Sequence, residues 1–475
     1  MRGYGLRGQV VSFSMRLRPL ISLGCTFLCA FALAQDDGIG DPTFPTLGNK
    51  GYKATHYLLK LNYDPETAQL KANVTMEGVV DPSPLSTLSV DFSGFTVSAV
   101  KLNGASATFT RSGAKLRVKP ASPLAAGSKF ALETIYSGKP ELIGSAALPP
   151  IYKGGWVAYP GGAVAACEPD MSHGWFPCND HPLNKATFDV EITAPRPYVT
   201  VSNGIGKTIG PTTTHFTLDK PALTCMVTVA VGKYGILKQV GPNSLPITNY
   251  VPLGTETQYI EPLQVTPKFI QYLSDRIGPY PFASYGTITF PDEASKSNKL
   301  LEVMALETTS IPLFSPGSSK DAATLCHELT HQWMGDCVSV TNWGDDIWWV
   351  EGFAQYSEFM LAEMNGGKAA YDAAIKAAYA SVSAQSHWLK PGHLPAADMF
   401  SLRSYIGGAL TFHALRKKLG DEKFFQVVRQ FVDKHRYGNA SVKDWIEIAT
   451  QVAGEDMKPF FDTWLYGDAV PKLPS

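Results

Sequence analysis

The pattern of hydrophobic and polar residues divides the chain into two parts with different periods. From residue 53 to residue 237, apolar and polar residues alternate in short runs that end at Gly, Pro, Asn or Asp. Examples of these runs are 56–63, 115–118, 187–192 and 226–231. Alternation with a period of two places every second side chain on the same face, which predicts strands of an antiparallel, half-exposed sheet.

The second part of the chain is predicted to be mainly helical. It contains two strand patterns, at 247–253 and 287–290. Helices are predicted at 256–277, 371–382, 401–419, 421–436 and 441–452. The last of these starts with Ser441 and has Asp444 three positions later, which is typical of a capping box. These elements predict an α+β fold, and the turn-rich segment 241–246 is the predicted boundary between a β domain at 35–242 and a mainly helical domain at 243–475.

Residues 1–34 are predicted to be a signal peptide and not part of the fold. A basic stretch begins at Met15, an apolar run at 19–31 is too short to span a bilayer, and 32–34 form a small-x-small cleavage signal. We therefore expect translation to start at Met15 and the mature chain to be exported, periplasmic or extracellular, with no membrane span. Lipidation at Cys25 is a disfavoured alternative, because the residues before it form a poor lipidation signal.

Composition limits the classes of function. The chain has 475 residues, of which 44% are hydrophobic and 17% charged, with a formal net charge of -1. A chain of this size can bury a large core, and we expect two or three domains. Neither the net charge nor its distribution indicates a nucleic-acid partner or a membrane-surface patch.

Five cysteines remain after the predicted signal peptide: Cys167, Cys178, Cys225, Cys326 and Cys337. An odd number without a CxxC pair excludes a dense disulfide framework and a thiolate zinc site. Cys167 could pair with Cys178, or Cys326 with Cys337, in an oxidising compartment. Buried free thiols are the alternative, which we favour for Cys326 because of its position in a predicted ligand helix.

The segment 326–335 carries the candidate chemistry. Read as a helix, it places His327 and His331 one turn apart on the same face, where two imidazoles can bind one metal ion. Glu328 lies about 100° further round the helix, so it reaches a metal-bound water as a general base more easily than the metal itself. An isolated HExxH pattern also arises by chance in helices whose histidines bind nothing.

A third ligand is therefore needed before this pattern indicates a metal site. A catalytic zinc ion takes three protein ligands and leaves a fourth position for water. The segment 348–358 is predicted to start a second helix that opens with Glu351, which is the candidate third ligand.

Together, these two segments resemble the zinc-binding core of the gluzincin aminopeptidases, the family of aminopeptidase N and leukotriene A4 hydrolase. In that family eighteen residues separate HExxH from the ligand Glu, whereas nineteen separate His331 from Glu351, with the extra residue near Gly344. Two family asparagines nearby are Val350 and Asp336 here. The resemblance implies one zinc ion per chain, bound by His327, His331 and Glu351.

Two further segments resemble the parts of this family that bind the substrate amine. The stretch 166–188 is similar to the loop that the β domain sends into the active site, and implies that Glu168 helps to hold the free amine. The family's Gln two places earlier is Ala166. The stretch 304–308 stands in place of the edge-strand motif GAMEN, with Ala305 and Glu307 as its two identities. It implies that Glu307 binds the α-ammonium group beside Ala305 and Leu306, although the motif's Asn is Thr308.

The stretch 403–410 resembles the family's Tyr-x-Lys-Gly segment. It implies that Tyr405 is the catalytic tyrosine, although the family's Lys is Gly407 here. Glu358, two helical turns after Glu351, is a candidate partner for a ligand histidine or else a solvated helix residue.

The resemblance implies a saddle-like β domain followed by a thermolysin-like catalytic domain, in a short two-domain member without the large C-terminal helical domain. The implied function is an exported zinc aminopeptidase that acts on peptides with a free amino terminus. A zinc endopeptidase or an epoxide hydrolase on the same site is an alternative. A non-catalytic peptide-binding protein on the same scaffold is another. The sequence does not indicate an oligomeric state.

Overall fold

The structure is a computed structural model that describes residues 38–384 and 390–474. The predicted signal peptide and its two cysteines lie outside the described residues. Within the described part of the chain, no helix combines the length and the apolar character needed to cross a bilayer.

From residue 38 onwards, where the described part begins, the N-terminal half is built from sixteen strands. They are β1 (Tyr52–Asp64), β2 (Gln69–Val80), β3 (Leu88–Asp91), β4 (Thr96–Leu102), β5 (Ala105–Ser106), β6 (Thr108–Ser112), β7 (Lys115–Lys119), β8 (Lys129–Gly138), β9 (Ile143–Gly144), β10 (Lys153–Tyr159), β11 (Gly162–Ala166), β12 (Ala186–Thr193), β13 (Val199–Ser202), β14 (Ile205–Thr208), β15 (Thr213–Ala222) and β16 (Val229–Gly232). They form an eight-stranded sheet in the order β14-β15-β12-β1-β2-β8-β4-β5, a five-stranded sheet in the order β13-β16-β11-β10-β9, and the three-stranded sheet β3-β7-β6.

The large sheet has the predicted half-exposed character. Along β2, Leu70, Val74 and Met76 are buried while the intervening residues are more exposed, as a period of two requires. Its strands pair antiparallel except for β1 and β12, which run parallel. The five-stranded sheet differs from the prediction, since β11 and β16 are buried throughout. Trp156 on β10 packs against Tyr63 on β1, and β10 also contacts helices of the second half, so little of this sheet faces water.

The second half joins a sheet to nine helices among the described residues. Its strands are β17 (Tyr234–Val240), β18 (Pro246–Pro252), β19 (Tyr285–Thr289), β20 (Ala305–Leu306), β21 (Leu313–Phe314), β22 (Ser339–Val340) and β23 (Asn439–Ala440). Its helices are α1 (Val265–Ile277), α2 (Asp292–Ser297), α3 (Lys299–Val303), α4 (Ala322–Thr330), α5 (Trp343–Ser383), α6 (Gly408–Leu419), α7 (Asp421–His435), α8 (Val442–Ala453) and α9 (Lys458–Tyr466). The main sheet has the order β17-β18-β19-β21-β20. This half confirms the predicted α+β class.

The predicted boundary at residue 242 lies between two paired strands of one sheet. Strand β17 pairs antiparallel with β18 along its whole length, so it belongs to the sheet of the second half. The segment 241–246, which suggested a domain linker, is a hairpin turn with a short 3-10 helix at Pro242–Ser244. Its Gly, Pro and Asn residues mark a chain reversal, and such residues do not distinguish a hairpin from a domain boundary.

Several helices differ in extent from the prediction. The helix predicted at 256–277 begins only at Val265, after two 3-10 turns. The patterns at 348–358 and 371–382 belong to one long α5, which is interrupted at Gly367, where φ is 64°. The predicted helix 401–419 consists of a π-helical stretch at Arg403–Gly407 followed by α6. The capping box of Ser441 and Asp444 is present.

A buried polar network in the β half anchors the loop that approaches the second half. The ammonium group of Lys115 donates hydrogen bonds to Gly48 O at 2.8 Å and to Asp91 Oδ1 at 2.5 Å. The other oxygen of Asp91 accepts hydrogen bonds from Asn49 Nδ2 at 2.8 Å and from the amide of Asp180 at 3.0 Å. Asp91 therefore neutralises a buried cation and fixes the loop that follows Glu168.

We predict that Asp91→Ala lowers the free energy of unfolding by about 3–5 kcal/mol, because it leaves the Lys115 ammonium buried without an anion. Urea denaturation followed by circular dichroism measures this loss. The control is Lys368→Ala, which breaks a pair with Asp372 whose side chains are 78% and 41% exposed. That change is expected to cost less than about 1 kcal/mol. Equal losses for the two variants would contradict the role given to Asp91.

Candidate active site

The three predicted metal ligands come together between α4 and α5. Helix α4 is capped by Asp321, whose side chain accepts a hydrogen bond from the amide of Thr324 at 2.8 Å. His327 lies in this helix and His331 at its C-cap, with their ring centroids 4.9 Å apart. Glu351 Oε2 lies 3.3 Å from His327 Nε2 and 3.6 Å from His331 Nε2.

The extra residue in the connection does not move Glu351 away from the histidines. After His331 the chain forms a wide turn, in which the amides of Asp336 and Cys337 donate to carbonyls five residues earlier at 3.0 and 3.2 Å. Helix α5 then starts at Trp343, so Glu351 lies in its third turn and does not open the helix as predicted. The side chain of Asn342 caps α5 by accepting from the amide of Asp345, a start signal that the sequence interpretation missed.

The donor set fits one zinc ion. Tetrahedral zinc with bonds of about 2.0–2.2 Å holds neighbouring ligand atoms roughly 3.3 Å apart, close to the two distances that Glu351 makes. His327 Nδ1 lies 2.9 Å from Glu358 Oε1, and His331 Nδ1 lies 3.1 Å from Met334 O. Because a carboxylate and a carbonyl only accept hydrogen bonds, both Nδ1 atoms carry protons, and the two Nε2 atoms beside Glu351 are the ones that would bind the ion.

Burial and the neighbouring charges shift the pKa values of Glu351 and Glu328 in opposite directions. Burial alone would raise the pKa of Glu351, but hydrogen bonds from His327 and His331 outweigh it and lower the pKa to about 2. Burial raises the pKa of Glu328 to about 8; His327 opposes this rise and Glu307 adds to it. A divalent cation among these groups would lower the pKa of each neighbouring carboxyl. The protonation of Glu328 therefore depends on the cation beside it, which is the position of a proton-transfer group.

Glu168 and Glu307 form a second acidic group beside the metal ligands. Oxygens of Glu168, Glu307 and Glu351 lie within 4.8 Å of one another. One buried oxygen of Glu168 and one of Glu307 have no hydrogen-bond partner among the described residues. Burial, together with the neighbouring carboxylates, raises the pKa of both side chains. Buried carboxylate oxygens without partners are costly, so this part of the site favours a positively charged group.

The elements around Glu307 agree with an edge-strand position. Glu307 follows β20, the terminal strand of its sheet, which pairs with β21 on one side. Leu306 is buried and packs in the main hydrophobic core, and Ala305 is partly buried. Both residues were predicted to bind substrate. Because the side chain of Leu306 is packed in the core, Leu306 can contact a substrate only through its backbone.

Two polar residues that the sequence interpretation missed hold this region in place. Gln332 donates to Glu307 O at 3.2 Å and accepts from the amide of Ser310 at 2.6 Å, so it ties the turn after β20 to the end of α4. Lys185, from the β half, donates to Asp336 O at 2.7 Å and to Cys337 O at 3.0 Å. Both act across long sequence separations, which a local pattern does not reveal.

Tyr405 faces the metal ligands from the π-helical stretch. Its ring stacks on that of His327 at a centroid distance of 5.9 Å and an interplanar angle of 22°. Burial raises the pKa of Tyr405 well above its ordinary value, and the carboxylates of Glu351 and Glu168 raise it further. The phenol therefore keeps its proton at physiological pH and acts as a hydrogen-bond donor. The cysteines beside the site, like all five in the described residues, are buried free thiols.

Comparison with known proteins agrees with this fold and site. The model of the Peptidase M1 N-terminal domain matches residues 53–220, and the model of the Peptidase family M1 domain matches residues 262–464. The crystal structure of an M1 zinc metallopeptidase from Deinococcus radiodurans is 30% identical, with a TM-score of 0.83 over 92% of this chain and 98% of that chain. A glutamate-to-alanine mutant structure bound to a Tyr-Ser-Ala substrate is also 30% identical, with a TM-score of 0.83 over 92% of this chain and 99% of that chain.

Longer relatives are similar to this chain over part of their length. Aminopeptidase M1-B from Oryza sativa subsp. japonica is 27% identical over 66% of this chain and 38% of its own length. Endoplasmic reticulum aminopeptidase 2 from Homo sapiens is 28% identical over 62% of this chain and 33% of its own length. The chain thus spans less than two-fifths of the curated relatives it matches. Its fold and ligand set define the class of zinc metallopeptidases. Within that class, the chain belongs to peptidase family M1.

We predict that Glu358→Gln weakens zinc binding about 10- to 100-fold, because the amide holds the His327 imidazole less firmly than the carboxylate does. Competition with a chromogenic chelator measures the affinity. Glu302→Gln is the matched control, since Glu302 is exposed on α3 and pairs with Lys299. An unchanged zinc affinity in Glu358→Gln would show that the hydrogen bond to His327 has no part in metal binding.

Proposed function

We propose that this chain is an exported zinc aminopeptidase that removes residues from the amino terminus of peptides. The observation that carries the proposal is the pair of carboxylates of half-buried Glu168 and buried Glu307, each of which has one buried oxygen without a hydrogen bond next to the metal ligands. An α-ammonium group would satisfy both by charge-assisted hydrogen bonds. Held there, a substrate's first peptide bond would lie close to the metal, since Glu351 belongs to both groups.

The side chains of the site then divide the reaction between them. When bound, zinc supplies a Lewis acid that lowers the pKa of a water ligand to about 7. Glu328 accepts the proton of the attacking water and delivers it to the departing amine. Tyr405 donates its hydroxyl proton in a hydrogen bond to the oxyanion that forms from the peptide carbonyl. Glu168 and Glu307 fix the terminal ammonium, so the carbonyl next to it is the one attacked.

The competing functions make different demands on Glu168 and Glu307. An endopeptidase does not bind a free amine, so it does not need carboxylates at this position. They would instead block the substrate chain that continues on the amino-terminal side of the cleaved bond. A non-catalytic peptide-binding protein would need neither Glu328 nor a zinc ion, so a zinc-to-protein ratio near zero would favour it.

Export is supported by the leader pattern at 15–34 alone. Mass spectrometry of the chain from its host tests this part of the proposal. A mature amino terminus at Gln35 in a periplasmic or culture fraction is the expected result, and a retained leader in the cytoplasm would contradict it.

We predict that Glu307→Ala lowers kcat/KM about 100-fold or more on aminoacyl chromogenic substrates while zinc content stays unchanged. A buried ammonium loses one of its two anions, which costs about 3 kcal/mol or more. The same substrates with acetylated amino groups should be poor for wild type and be little affected by the change. Glu302→Ala serves as the control. Efficient internal cleavage of amino-blocked peptides by wild type would instead support an endopeptidase.

We predict that Glu328→Gln retains zinc but lowers kcat by at least about 100-fold, because a carboxamide cannot take up the proton.

Tyr405→Phe should lower kcat by about 100- to 1000-fold, the loss expected for one oxyanion donor, with little change in KM. Chelation should abolish wild-type activity and added zinc should restore it. Steady-state kinetics with parallel metal analysis checks all three results. Full activity in Glu328→Gln would exclude it as the general base.

A further inference from the structure

Helices α5 and α6 touch through their backbones at two glycines beside the site. A Cβ atom built on Gly408 would lie 2.1 Å from Trp348 O and 2.7 Å from Gly352 Cα. A Cβ atom on Gly352 would lie 2.5 Å from Gly408 Cα. Gly408 has ordinary helical angles, with φ at −62°, so space and not backbone conformation requires glycine there.

This contact lies between two residues of the proposed chemistry. On α5, Gly352 directly follows the metal ligand Glu351. On the other side, Gly408 follows the π-helical stretch that carries Tyr405, and its amide donates to the carbonyls of Ser404 and Tyr405. Gly352 is therefore joined to Glu351 by one peptide bond. Gly408 is joined to Tyr405 by one hydrogen-bonded helical turn.

The π-helical stretch is also fixed on its other sides. The hydroxyl of Thr411 donates to Gly407 O at 2.9 Å, and the hydroxyl of Ser404 donates to Met399 O and Ser401 O. The aromatic ring of Trp348, one turn before Gly352, stacks on Phe412 at a centroid distance of 5.5 Å. With so many constraints, a shift of α6 away from α5 has to carry Tyr405 with it.

We propose that Gly408 is a positioning residue. By allowing α6 to lie close to α5, it determines the distance between Tyr405 and His327 with the other metal ligands. This inference rests on the proposed function, because Tyr405 must act on bound substrate for its position to matter in catalysis. Any side chain at Gly408 has to move α6 outward by about 1 Å before its Cβ clears Trp348 O, and a displacement of that size can cost about 100-fold in rate. The alternative is that the glycines serve only helix packing and stability.

The test compares Gly408→Ala in wild type and in the Tyr405→Phe background. In wild type we expect kcat to fall about 100-fold, with KM within about threefold and zinc content unchanged. In the Tyr405→Phe background the same substitution should cost less than about threefold, since the hydroxyl it displaces is already absent. Equal losses in the two backgrounds would show a general structural effect and would overturn the proposal.

A crystal structure of Gly408→Ala gives a second result that does not depend on activity. The distance between the ring centroids of Tyr405 and His327, 5.9 Å here, should increase by about 1 Å. Gly317→Ala is the matched control, because no atom lies within 4 Å of a Cβ built there, and its kcat and this distance should not change. An unmoved Tyr405 ring in Gly408→Ala would overturn the proposal whatever the activity.

Thr411→Val provides the same comparison if Gly408→Ala does not fold. It keeps the shape of the side chain and removes the hydrogen bond to Gly407 O, so kcat should fall about fivefold in wild type. No further fall is expected in the Tyr405→Phe background, and additive losses would again overturn the proposal. A wild-type enzyme without aminopeptidase activity would refute the proposed function instead, and the crystallographic distance would still test the positioning.

Discussion

The structure has to hold together several glutamates that lie close to one another and repel each other when ionised. Glu168, Glu307, Glu328, Glu351 and Glu358 surround only two histidines. Imidazole hydrogen bonds neutralise part of this charge, most of all at Glu351, whereas burial first and the neighbouring carboxylates second keep the pKa values of Glu168, Glu307 and Glu328 high. A dication among these carboxylates would lower their pKa values and relieve the repulsion between them, and a protonated amine bound as proposed would act in the same direction.

Holding like charges together requires a rigid frame, and both halves of the chain contribute to it. The β half delivers Glu168 on a loop that the Asp91–Lys115 pair fixes from behind. Lys185 from the same half donates hydrogen bonds to the turn after α4, and Gln332 connects that turn to the turn after β20, which carries Glu307. The acidic groups of the site are therefore held in place by uncharged amides and by cations that lie outside it.

The sequence predicted those parts of the site that depend on local periodicity or on a motif. The spacing of His327 and His331 follows from the helical repeat, and the resemblance identified Glu351 although the connection differs in length. The start of α5 was missed because the capping residue, Asn342, stands far before the ligand. The roles of Gln332 and Lys185, and the contact between Gly352 and Gly408, depend on which distant segments meet. These contacts between distant segments cannot be inferred from the local patterns of a single sequence.

Strand β20 leaves one side of its backbone without a partner strand among the described residues, directly beside Glu307. An extended peptide laid along that side would be gripped through amides and carbonyls, which every amino acid offers alike. Leu306 turns its side chain into the core and adds no contact that could read the peptide's residues. Such an edge would hold an extended chain by its backbone and would not by itself distinguish one sequence of residues from another.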